Sequence, residues 1–230
     1  MRAIAAQPED AAFPSGGKLM PPGVLAFDEH AQEYDSWFDE QEVLYQSEVN
    51  ALRRFVPEAG RGVEVGVGTG RFSVPFGIRL GVEPSPAMAH AAHQRGIAVC
   101  QAMGEQLPFG DDQFDFALLV TVVCFVSSVG VLLQEVRRVL KPGGRIIIGF
   151  IDRTSPLGQV YEAHKASDKI YRAARFYSAD DIADRMRQTG FGAMQFGQTI
   201  FGLPGDAPGL QPMRDGYGEG AFVVLSAKKD

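Results

Sequence analysis

The chain has 230 residues, 45% hydrophobic and 22% charged, with a net charge of −6, which suits one buried core and excludes a disordered chain. The acidic balance disfavours nucleic acid as the main partner, because phosphate binding needs a basic face. No run approaches the ~20 apolar residues of a membrane span, and Pro8, Glu9, Asp10, Pro14 and Lys18 interrupt any signal-peptide core. A cytoplasmic protein without a membrane partner is therefore expected.

Residues 1–23 hold Pro8, Pro14, Pro21 and Pro22 and show no apolar period, which predicts a flexible leader. Residues 24–230 are expected to form one domain, opening with a helical lid over 24–57. Within it Tyr34, Trp37, Phe38, Val43, Leu44, Val49 and Leu52 recur at helical intervals, predicting two amphipathic helices. A regular alternation then begins. Strands are predicted over 61–65, 79–83, 97–101, 114–121 and 145–151, with helices over 71–78, 85–95 and 129–140. Pro86 stands well placed in a first helical turn, and Lys141-Pro142-Gly143-Gly144 is a strong breaker. Helices over 157–171 and 179–189 and strands over 194–201 and 221–227 complete the chain. Strands apolar on both faces and separated by helices predict a doubly wound, Rossmann-like α/β sheet of seven strands. It is mostly parallel, with an antiparallel C-terminal hairpin.

The most informative stretch is Glu64-Val65-Gly66-Val67-Gly68-Thr69-Gly70, between the first strand and a helix. Glycines there either let the backbone approach a ligand or only close a tight turn. A dinucleotide fingerprint needs GxGxxG, but Arg71 stands at its third glycine position. Glu83 ends the second strand, where a carboxylate can accept hydrogen bonds from a ribose diol. Cys100 and Cys124 lack CxxC spacing and read as two buried free thiols; no metal site is expected. His30, His90, His93 and His164 are scattered singly and read as surface histidines.

The E-x-G-x-G-x-G pattern at Glu64–Gly70 resembles the first motif of the class I S-adenosylmethionine (SAM)-dependent methyltransferases. Glu105-Gln106-Leu107-Pro108-Phe109 followed by Phe114-Asp115, and Lys141-Pro142-Gly143-Gly144, are similar to later motifs of that family, in its order. The resemblance covers roughly residues 28–151. It implies that Gly66, Gly68 and Gly70 wrap the methionyl part of SAM, with Glu64 holding its ammonium group and Glu83 the ribose. Relatives often carry an acid for adenine N6 where this chain has Met103-Gly104; Met103 packs on a purine face instead, and Glu105 or a backbone carbonyl takes the acid's place. Ala31-Gln32-Glu33-Tyr34-Asp35-Ser36-Trp37 is similar to the family's lid, which sets Tyr34 over the methionyl end and turns Trp37 and Phe38 toward substrate; an aromatic face packed on the sheet is the plainer reading.

Thr121, after the fourth strand, is expected at the cofactor, and Phe125 at the substrate. Asp152, Arg153, Arg175, Tyr177 and Tyr217 are further substrate-pocket candidates from their positions past the fifth strand. No catalytic base is singled out, because methyl transfer needs mainly alignment of nucleophile, methyl and sulfur. The resulting expectation is methyl transfer from SAM, leaving S-adenosylhomocysteine (SAH), to a small molecule, by a monomer or homodimer. An NAD-dependent oxidoreductase or a non-catalytic SAM-binding protein are the alternatives.

Overall fold

The computed structural model describes residues 21–203 and 209–230; most of the leader segment lies outside them. Pro22–Glu29 forms helix α1, so the last two leader residues are helical. Proline suits this first turn because its missing N–H has no helical partner there. Helices α2 (Ala31–Glu40) and α3 (Glu42–Arg53) follow, giving three helices where two were predicted.

Eight strands form one sheet: β1 (Gly62–Val65), β2 (Leu80–Val82), β3 (Ala98–Cys100), β4 (Phe114–Val120), β5 (Leu140–Ile151), β6 (Phe191–Thr199), β7 (Arg214–Asp215) and β8 (Phe222–Lys229). Their order is β3-β2-β1-β4-β5-β8-β6-β7. The first five pair in parallel, whereas β8 runs antiparallel between β5 and β6. The predicted hairpin is present, and the eighth strand is the two-residue β7 inside the Pro/Gly-rich connection. The chain winds outward from β1 toward β3 and then from β4 toward β8. The β1/β4 boundary is thus the switch point, where crossovers leave a crevice at the carboxyl ends of strands.

The central strands are buried on both faces. Ala117 and Leu119 of β4 join Ile146 and Ile148 of β5 under helices α5 (Val129–Val139) and α7 (Ala179–Gln188). Phe116, Leu118 and Val120 point to the other side with Ile147, against Val49 and Leu52 of α3 and Phe38 of α2. A period of two with both faces covered produces the continuous apolar runs in the sequence.

Three elements differ from the sequence reading. The helix expected over 71–78 shrinks to a 3₁₀ turn, Val74–Phe76, because Pro75 supplies no N–H and Gly77 turns left-handed at φ +64°. The helix expected over 157–171 stops early as α6 (Pro156–His164), followed by short 3₁₀ turns. Lys141–Gly144 makes an irregular opening of β5 instead of a separate turn, and the register jumps between the Phe114 and Phe116 pairings. Helix α4 (Pro86–Gln94) begins as predicted, with the Ser85 hydroxyl accepting from the Met88 N–H.

Gly70 carries a packing requirement. Its φ is +88°, and a β-carbon there would sit 2.5 Å from Cδ1 of the buried Ile97 and 3.4 Å from Ala92. Gly70→Ala is expected to cost about 2 kcal/mol through backbone strain and overpacking, measured as a lowered midpoint in urea unfolding.

Candidate functional site

Two adjoining cavities open at the carboxyl ends of the central strands. The first is walled by the turns that follow β1 (Gly66, Gly68), β2 (Glu83, Pro84), β3 (Met103, Gly104, Glu105) and β4 (Thr121, Val122, Phe125). Gly23, Val24 and Phe27 of α1, Tyr34 of α2 and Met88 of α4 close it. The second, about 440 Å³, lies between α2, α3, α6 and the segment around Tyr171, which is ample room for a small molecule. Tyr34 and Thr121 belong to both cavities and form their common wall.

The glycine turn divides its labour. Gly66 N–H donates to the Val82 carbonyl at 2.8 Å, and Gly70 N–H to the Val67 carbonyl at 2.9 Å. A β-carbon on Gly66 would meet Val122 Cγ2 at 2.3 Å. Gly70 is taken up entirely by packing and lies away from the cavity surface, contrary to the expectation that it wraps a ligand. Gly68 differs: at φ +52° its β-carbon would find only Tyr34 Cε1 at 3.8 Å. That leaves backbone facing open space, as close ligand approach requires.

Glu83 is 7% exposed. One carboxylate oxygen accepts from Gly68 N–H at 2.9 Å, the other from Ser85 N–H at 3.0 Å. The carboxylate therefore ties the glycine turn to the start of α4 and keeps further lone pairs for a ligand. Burial pushes its pKa up to about 7 against these two hydrogen bonds. Asp28 of α1 accepts from Ser85 Oγ at 2.7 Å and Ala87 N–H at 2.9 Å, so α1 is fastened over the same helix start.

Glu105 carries an unsatisfied atom. Its Oε1 accepts from Ser127 N–H at 2.7 Å, while Oε2 is buried with no hydrogen-bond partner. A buried acceptor without a donor is costly unless a ligand supplies one. Met103 and Met88 line the same cavity with polarizable surface suited to an aromatic ring. The residues present therefore fit an adenosyl group: an amino donor for Glu105 Oε2, sulfur for the purine faces, and a carboxylate at Glu83.

Asp35 fixes α2 to the glycine turn. It accepts from Thr69 Oγ1 at 2.6 Å, from Arg71 at 3.0 Å and from Arg95 at 2.7 Å, and Arg71 also binds Asp39 at 2.7 Å. Burial raises the Asp35 pKa, but the hydrogen bonds from Arg71, Thr69 and Arg95 outweigh it and hold the carboxyl well below the usual range. Arg71, which replaces the third glycine of a dinucleotide fingerprint, thus has a structural use here.

Thr121 is β-branched yet sits at φ +54°, a strained conformation held by its N–H bond to the Gly149 carbonyl at 2.8 Å. It borders both cavities beside Tyr34, whose pKa burial drives well above the ordinary value.

Several sequence candidates fall elsewhere. Glu64 is buried behind the glycine turn, where the Ser73 hydroxyl donates to it. It faces a small separate space beside Thr69 and Arg71, not the main cavity, and burial pushes its pKa up to about 8. Asp152 is 2% exposed and caps its own turn and α7, accepting from Thr154 N–H at 2.7 Å and Ala179 N–H at 3.1 Å. Arg153 pairs with Asp181 at 3.0 Å, Arg175 lies over the Tyr177 ring, and Tyr217 donates to Asp180 at 2.7 Å. None of these four lines either cavity. Tyr177 borders a minor cavity beside Cys124. Trp37 and Phe38 do line the second cavity, whereas Phe125 lines the first, edge-on to Phe27 at 4.7 Å. Cys124 is buried, but Cys100 is only half-buried. Among the described residues no cluster of His, Cys, Asp and Glu is arranged to hold a metal, and no helix is long and apolar enough to cross a membrane.

The sequence reading missed Glu48, which is 5% exposed and lines the second cavity. A signal existed: Leu44, Tyr45, Val49 and Leu52 mark the inward stripe of α3, and Glu48 stands within that stripe. Burial alone pushes its pKa up to about 8.

Comparison with known proteins agrees with this geometry. The methyltransferase domain family matches residues 63–148. An uncharacterised protein of Methanocaldococcus jannaschii is 49% identical over 203 residues, 88% of this chain and 98% of the relative. A crystal structure from Thermotoga maritima, named as a SAM-dependent methyltransferase and possible histamine N-methyltransferase, is 45% identical. It superposes with a TM-score of 0.87 over 90% of this chain and 99% of its own. A Haemonchus contortus phosphoethanolamine N-methyltransferase, solved with SAH, shares the fold at 16% identity and a TM-score of 0.59, over 80% of this chain and 52% of its own. The chain belongs to the class I SAM-dependent methyltransferases.

Proposed function

We propose that the chain binds SAM in the first cavity and transfers its methyl group to a small-molecule acceptor in the second. The observation that carries this reading is the shared wall at Tyr34 and Thr121, where the two cavities meet beside the glycine turn. When bound, SAM supplies a methyl group made electrophilic by its sulfonium. Gly66 and Gly68 admit the methionyl part, and Tyr34 covers it. Glu83 holds the ribose hydroxyls, and Met88 and Met103 flank the purine. Glu105 Oε2 accepts from the adenine amino group. The packed helices keep water from the point of transfer, and alignment of this kind supplies up to ~7–11 kcal/mol in favourable cases.

SAH at about a hundredfold its Kd is expected to raise the melting temperature by about 5–10 °C, corresponding to ~2.7 kcal/mol for a protein of this size. NAD is expected to leave it unchanged. A thermal melt showing no response to SAM or SAH would refute the reading, and a response to NAD instead would favour an oxidoreductase.

A further inference from the structure

The second cavity contains a buried carboxyl group for which the described residues provide no partner. Glu48 projects from α3 into it, and among the described residues no hydrogen bond or ion pair falls on its carboxylate. Its pKa is displaced by burial with no cation opposing the shift. The carboxylate acts electrostatically on the phenols of Tyr34, Tyr161 and Tyr171, which border the same space. Of the charged groups at the cavity, Glu33 and Asp168 are also acidic. The cation Lys169 is engaged by Glu33 at 3.3 Å on the exposed rim. The cavity therefore combines a negative lining with an aromatic wall, including Trp37. A solitary buried carboxylate is costly unless a cation enters beside it, and aromatic faces attract the same cation.

We propose that Glu48 is the acceptor-recognition residue and that the acceptor is a basic amine, its ammonium group lying against Glu48 within the aromatic wall. This rests on the methyltransferase reading and names its substrate class. The ammonium passes one proton to a Glu48 oxygen, freeing the nitrogen lone pair. Nitrogen then forms its bond to the methyl carbon while the carbon–sulfur bond breaks. That bond's electron pair remains on sulfur, and the positive charge passes from sulfur to nitrogen.

The test is calorimetric titration of protein saturated with SAH, using a panel of primary and secondary arylalkylamines and alkylamines, each matched to the alcohol of the same skeleton. Members of the amine set are expected to bind at least tenfold more tightly than their alcohols. In Glu48→Gln that preference is expected to disappear while SAH affinity stays unchanged. Glutamine is nearly isosteric and the carboxylate loses no partner, so this variant is expected to melt no lower than the parent at pH 8. Glu48→Asp, which keeps the charge, is expected to retain the preference for amines. Amines binding no better than alcohols, or an undiminished preference in Glu48→Gln, would overturn the proposal while leaving the methyltransferase reading intact. Absence of SAH binding by the parent protein would instead strike the underlying reading.

Discussion

Raising the pH of the ligand-free protein from 5 to 8.5 is expected to lower its melting temperature by on the order of 10 °C. Glu48 and Glu64 have pKa values pushed up to about 8, and Glu83 to about 7, in each case chiefly by burial. A carboxyl whose folded pKa lies above its unfolded value contributes stability that is complete below the unfolded pKa. That stability is lost as pH rises through the folded one, because the unfolded chain releases its proton first. The window therefore runs from about 4.5 to about 8, the reverse of the usual acid unfolding. Asp35 acts in the opposite sense: its depressed pKa contributes stability above the ordinary carboxylate range that is lost on acidification. A melting optimum near pH 5 follows. Together the three glutamates account for a few kcal/mol at 1.36 kcal/mol per unit after allowance for relaxation, and 1 kcal/mol corresponds to ~2–4 °C for this chain length. Differential scanning calorimetry across pH checks the slope, and Glu48→Gln is expected to flatten it. A melting temperature that rises steadily from pH 5 to 8.5 would contradict the burial of these acids.

Glu83→Gln is expected to weaken SAH binding by about a hundredfold in calorimetric titration while moving the free protein's melting temperature at pH 8 by only a few degrees. The carboxylate accepts from Gly68 and Ser85 with separate oxygens. An amide offers one acceptor oxygen and turns two N–H donors toward one of those amides. The turn loses a charge-assisted bond, and the proposed ribose contact loses its anionic acceptor, together ~2–3 kcal/mol of binding. Removing a buried charge offsets part of the structural loss, so binding suffers more than folding. Parent-like SAH affinity in this variant would show that Glu83 serves only to hold the turn.

The core architecture was legible because parallel strands covered on both faces write long apolar runs, such as Phe114–Val120, between helical intervals. The glycine turn and Glu83 were legible because their spacing is set by the backbone itself. Failures came where side-chain direction or local competition decides. Asp152 follows β5 as expected, but it turns back to cap Thr154 and Ala179, a choice that strand period does not encode. Tyr217 lies in a glycine-rich segment, yet it packs on Phe196 and donates to Asp180 and lines neither cavity. Pro22 was read as part of a flexible leader although it opens α1. Glu48 escaped notice because attention to apolar periodicity passes over the one charged member of a buried stripe.

Asp35 has a wider consequence. The same arginine that clasps α2 emerges from the glycine turn, and Arg95 reaches the clasp from the end of α4. Arg71 also holds Asp39 of the same helix, so swinging α2 outward to admit a nucleoside means parting three ion pairs at once. The ease of entry and exit then depends on dissolved salt, through the association and release rates more than through the strength of the finished complex. A reader of turnover in such a protein would be timing the opening of an ionic latch.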